Sequence, residues 1–129
     1  MNEIVQYRVV NLTPHDIRVV SDRGEIVYPR SGQVARLQTV SRQLQIEGLP
    51  PVVETEIVGI EGLPEPQPGV VYLVSTPLLM AAARLGRLDV LAPDTGPESA
   101  VRDKNGQVVA VRRLQRFYTG VVVRKPTEE

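Results

Sequence analysis

The chain is 129 residues long and carries 15 basic and 15 acidic side chains, so its formal charge at neutral pH is zero. That length supplies one core and is short for two, and charges without long single-sign blocks disfavour a nucleic-acid partner or a membrane surface. Cysteine is absent, which excludes a disulfide framework, thiolate zinc sites and a thiol nucleophile. The expectation is one domain over residues 1–129. No run approaches the ~18 apolar residues of a membrane span, and Met1-Asn2-Glu3-Ile4 lacks the basic start and apolar stretch of a secretory signal. A cytoplasmic protein follows as the expectation.

Residues 4–12 are rich in β-branched side chains and partly alternate, which reads as a half-buried strand broken by Pro14. Residues 17–20 and 25–28 flank the turn-forming Ser21-Asp22-Arg23-Gly24, a hairpin pattern. Residues 33–38 and 40–46 alternate as two further strands, but Arg42 falls on the apolar phase, so the buried face stays open. Two similar segments, Ile46-Glu47-Gly48-Leu49-Pro50 and Ile60-Glu61-Gly62-Leu63-Pro64, bracket a strand over 52–60. Two copies are too few for a solenoid, so they read as like turns. The prolines of residues 65–69 then interrupt any ladder.

Residues 70–74, Val-Val-Tyr-Leu-Val, form a continuous apolar run expected of a central strand buried on both faces. Thr76 as N-cap and Pro77 at the first helical position predict a helix over 77–85, closed by Gly86. Residues 87–92 read as a short extended segment and 93–98 as a loop. Residues 101–103 and 107–111 flank Lys104-Asn105-Gly106, and Asn-Gly is a strong hairpin signal. A last strand over 117–124 and a frayed polar tail from about 125 complete the chain. The fold class is α+β, mainly antiparallel: a curled sheet or small barrel with one central helix.

Three places concentrate polar chemistry. The first is Asn11-Leu12-Thr13-Pro14-His15-Asp16, which holds the only histidine. His15 reads either as a ligand contact or general base, or as a turn residue held by a structural hydrogen bond, with Thr13 as a local cap. The second is Ser75-Thr76, where a helix N-terminus offers free N–H groups and partial positive charge to an anion, or is simply capped. The third is Arg87, Asp89, Asp94, Thr95, Arg102 and Asp103, whose arginines suit phosphate or pair with their neighbours. Economy predicts a shared pocket, with His15 near the helix start and Arg87 or Arg102 close by. The candidate ligand-binding residues are therefore Asn11, Thr13, His15, Ser75, Thr76, Arg87 and Arg102. No catalytic residue, metal site or cofactor is assigned, because no phosphate-binding glycine loop, nucleophile elbow or His-x-x-x-His spacing occurs.

Asn11-Leu12-Thr13-Pro14-His15, Tyr72-Leu73-Val74-Ser75, Gly86-Arg87-x-Asp89-x-Leu91-x-Pro93 and Val101-Arg102-Asp103-x-x-Gly106, in this order, resemble a group of small uncharacterised phage and prophage proteins. The likeness spans about residues 9–111 and implies a phage origin, hence the host cytoplasm, without implying an activity. The expected function is that of a non-enzymatic phage accessory protein, binding a small anionic, nucleotide-like ligand or a host protein. The alternatives are a virion or assembly component, and a small hydrolase or nucleotide-processing enzyme using His15. Many short strands with edges to protect also predict a homo-oligomer.

Overall fold

A computed structural model describes residues 6–118. Its elements are β1 (Arg8–Asn11), β2 (Ile17–Ser21), β3 (Gly24–Tyr28), β4 (Arg36–Leu44), β5 (Val52–Glu61), β6 (Val70–Leu73), α1 (Thr76–Arg84), β7 (Val90–Pro93), β8 (Ala100–Arg102), β9 (Val108–Val111) and β10 (Leu114–Gln115). They form two four-stranded sheets, β1-β6-β7-β10 and β3-β2-β9-β8, and a two-stranded ribbon, β4-β5. This is the expected α+β class. The sheets stay open, so the barrel alternative does not hold.

The apolar run at 70–74 becomes β6, which lies between β1 and β7 and pairs in parallel with both. Tyr72, Leu73 and Val74 are buried. A parallel pair cannot close through a tight turn, and α1 supplies the crossover from β6 to β7. The helix packs Leu78, Leu79 and Ala82 into the core with Leu12, Val74, Val90 and Ala92. Burial on this one side explains why a nine-residue helix, too short to persist alone, is stable here.

The hairpins follow their turn residues. β2 and β3 pair antiparallel across residues 21–24, and β8 and β9 across Asn105-Gly106, where Gly106 has φ +81°. The two Ile-Glu-Gly-Leu-Pro segments are alike in backbone too, with φ +87° at Gly48 and +85° at Gly62. Gly62 is further required because a Cβ would stand 2.9 Å from the Val34 carbonyl oxygen.

Several expectations are corrected. The helix begins at Thr76, one residue earlier than read, with Ser75 at the N-cap and no side-chain capping bond. Thr76 lies inside the helix because Pro77 tolerates either of the first two helical positions. Residues 33–38 and 40–46 are not two strands: β4 runs through them without a break. Phe117 and Tyr118 lie in no strand, and the remainder of the expected strand over 117–124, with the tail from 125, lies outside the described residues. The short β10, paired with β7, was not foreseen.

Candidate functional site

Three adjacent parallel strands, β1, β6 and β7, end on one side of the sheet. Beyond their carboxyl ends come the Thr13–Ile17 turn, Val74-Ser75 and Pro93 to Thr95. These segments diverge around a cavity of about 490 Å³, walled opposite by Arg18 of β2 and by Val108 to Val111 of β9. The carboxyl end of a parallel sheet is a recurrent ligand position, because successive connections there leave in different directions and open a crevice. The lining is apolar for the most part, with Thr13, His15, Asp16, Arg18, Ser75 and Thr95 as polar residues.

The turn that presents His15 is built by Asn11 and Thr13, both buried. Asn11 Nδ2 donates to the His15 carbonyl at 2.8 Å and to the Tyr28 carbonyl at 2.9 Å. Its Oδ1 accepts from the Thr13 amide at 2.9 Å and from Thr13 Oγ1 at 2.7 Å. Both donors and both acceptor positions of the carboxamide are therefore used within the chain. Thr13 Oγ1 also lies 2.9 Å from the His15 carbonyl oxygen and 3.3 Å from the His15 amide nitrogen. Asn11 and Thr13 thus hold the backbone, and their polar atoms are engaged within the turn. The His15 imidazole is exposed at the cavity, and among the described residues it has no hydrogen-bond partner. Among the described residues, the hydrogen bonds of His15 belong to its main chain.

Ser75 shares the cavity with His15. The helix it opens has no side-chain cap and no acidic residue in its first turn, so its N-terminal partial positive charge is uncompensated by any carboxylate there. Thr76 does not line the cavity; its Oγ1 accepts from Gln115 Nε2 at 3.4 Å. Asp16 turns its Oδ1 to the Arg30 amide at 2.9 Å, and Asp94, just outside the wall, accepts from Arg113 Nε at 2.6 Å and from the Gly96 amide at 2.9 Å. Those bonds, the arginine's first, hold the Asp94 carboxyl below the usual carboxylate range.

The two arginines proposed from sequence stand elsewhere. Arg87 follows α1, at the opposite end from Ser75, about 13 Å away along a nine-residue helix. It forks onto Asp89, with Nε–Oδ1 at 2.8 Å and Nη2–Oδ2 at 2.9 Å, and Nη2 also reaches the Pro64 carbonyl at 2.8 Å. Arg102 donates to the Gly106 carbonyl at 2.6 Å within its own hairpin. Neither lines the cavity. The cationic residue that does is Arg18, whose Nε pairs with Glu25 Oε2 at 3.0 Å across the β2–β3 hairpin. Sequence reasoning passed over Arg18 because it lies mid-strand, outside any motif. Its position three residues after His15 was the available signal.

Among the described residues no group of three or more His, Asp or Glu side chains is placed to hold a metal ion. None of their helices is long and apolar enough to cross a membrane. Comparison with protein-family models, with curated proteins and with solved structures returned no match to this chain.

Proposed function

We propose that this chain is a non-enzymatic binding protein that takes a small anionic, nucleotide-like ligand in the cleft at the carboxyl ends of β1, β6 and β7, as a phage accessory protein of the host cytoplasm. The observation that carries this reading is the convergence, in one cleft, of an unpartnered imidazole and an uncapped helix N-terminus. The exposed Val108 and Val109 of β9 suit the flat face of a base, while His15, Arg18 and the helix start suit a phosphate. Binding is favoured over hydrolysis because a histidine acting as general base is ordinarily oriented by a further group on its second nitrogen, and here the ring carries none among the described residues.

Calorimetric titration with inorganic pyrophosphate and with nucleoside monophosphates and diphosphates tests the reading. Binding is expected to weaken as salt rises. His15→Ala and Arg18→Ala are each expected to lower affinity at least fivefold while leaving the melting temperature within about 2 °C, since both side chains are exposed. Absence of heat with every probe, or affinity indifferent to both substitutions, refutes the proposal.

A further inference from the structure

A depression of about 470 Å³ lies between the later turns of α1 and the chain that leaves β10. Met80, Ala83 and Arg84 form one wall; Arg116, Phe117 and Tyr118 form the other. None of them lines the His15 cleft, so the two places are independent. Met80 and Arg84 stand four apart and share one exposed side of the helix. Across from them, β10 pairs antiparallel with β7 and brings the following residues back beside α1. There Arg116 Nη1 donates to the Leu88 carbonyl at 3.3 Å, and Phe117 packs against the core.

Two features of this lining go together. The first is charge. Both guanidinium groups are exposed, no carboxylate lines the depression, and among the described residues neither Arg84 nor Arg116 belongs to an ion pair. The last turn of α1 favours a cation at Arg84 through the helix dipole. That accounts for the sign of the residue and leaves its donor fork open. The second is aromatic surface. The chain has four tyrosines, one phenylalanine and no tryptophan, and two of these rings are adjacent here. Tyr118 is 75% exposed, more than any other large hydrophobic side chain among the described residues.

We propose that this depression binds one nucleotide unit, its base stacked on Tyr118 and its phosphate held by Arg84 and Arg116. Uncompensated guanidinium groups beside a flat ring match a ligand that is anionic at one end and planar at the other. A plain acidic group would engage the arginines and leave the ring unused. The balanced net charge of the chain opposes a long cationic track, but one unit needs only this local excess. The unit arrives either as a free nucleotide or within a single strand, where bases are open to stacking.

Anisotropy of a fluorescein-labelled oligothymidylate is expected to show saturable binding to the full chain that weakens as salt rises. Tyr118→Ala, Arg84→Ala and Arg116→Ala are each expected to raise the dissociation constant about fivefold or more, and Tyr118→Phe, which keeps the ring, about twofold or less. The same losses are expected in a chain that also carries His15→Ala and Arg18→Ala, so failure of the cleft reading leaves this one standing. Displacement of the probe by thymidine monophosphate identifies a free nucleotide as the ligand, and displacement by unlabelled strand alone identifies a single-stranded nucleic acid. No binding by either, or binding that Tyr118→Ala and both arginine variants leave unchanged, overturns the proposal. Should Tyr118→Ala fail to fold, photo-cross-linking of a strand bearing 5-iodouracil to the parent chain decides. A link mapped to Phe117 or Tyr118 supports the site, and a link only elsewhere, or none, overturns it.

Discussion

The carboxamide of Asn11 donates to the carbonyl oxygen of His15 at 2.8 Å, four residues ahead, and so fixes the turn on which the only histidine is presented. Asn11 is 1% exposed, and its four bonds tie β1, the Thr13–His15 turn and Tyr28 together. Replacing it strands buried partners, and each unsatisfied group costs about 1–3 kcal/mol. Asn11→Ala is therefore expected to lower stability by about 3 kcal/mol in denaturant melts. Thr13→Ser, which keeps the hydroxyl, should cost about 1 kcal/mol, and Thr13→Val about 2.

The start of α1 gives a second expectation, opposite to the one its sequence invites. Thr76 makes no capping bond, so Thr76→Ala should change the unfolding free energy by less than about 0.5 kcal/mol in denaturant melts. Ser75 holds the N-cap position without using its hydroxyl there. Ser75→Asp should raise stability by about 0.5–1 kcal/mol, through a cap and a favourable charge at the helix dipole. The same carboxylate would repel an anion in the cleft, so pyrophosphate affinity should fall in a variant that is more stable than its parent.

Gly86 terminates the helix with φ +77°, its amide bonding the Ala83 carbonyl at 2.9 Å while the Arg87 amide bonds that of Ala82 at 3.1 Å. This paired closure needs a left-handed residue. Gly86→Ala meets open space, so steric contact adds nothing and the backbone alone sets the cost. About 1 kcal/mol of destabilisation is expected, read from chemical denaturation.

The Arg87–Asp89 fork predicts a pH dependence. The hydrogen bonds from Arg87 hold the Asp89 carboxyl below its ordinary range, against the opposing effect of burial, and Asp89 in turn raises Arg87. A lowered folded-state value means that the unfolded chain takes up the proton first. The stabilisation is thus complete above the unfolded value, roughly 3.9, and disappears as pH falls through the lower folded value. Asp89→Asn should cost about 2 kcal/mol at pH 7, since both side chains are under one-fifth exposed and Arg87 loses its charged partner. The difference between variant and parent should narrow on acidification to about pH 3, followed by urea melts.

Local rules determined much of this protein from its sequence alone. Gly24 and Asn105-Gly106 impose turns whatever lies beyond them, the apolar run at 70–74 has to be covered on both faces, and Gly86 stops a helix that Pro77 helps to begin. Each of those constraints acts within a few residues of its cause. Tertiary structure decided the rest. An alternating pattern tells which side chains share a face, but it names no partner strand and no register, so the parallel order β1-β6-β7 was not readable. That order is what carries His15 and Ser75, sixty positions apart, to one cleft and brings Arg18 instead of Arg87 beside them. Arg87 and Arg102 are held by Asp89 and the Gly106 carbonyl, as Arg18 is by Glu25, so pairing does not separate the three; place does, since only Arg18 among them lines the cleft. A bulge at Val58 in β5 shows the same limit in small: Ile57 and Ile60, three apart, belong to opposite faces of a regular strand, and only pairing with β4 puts them on one.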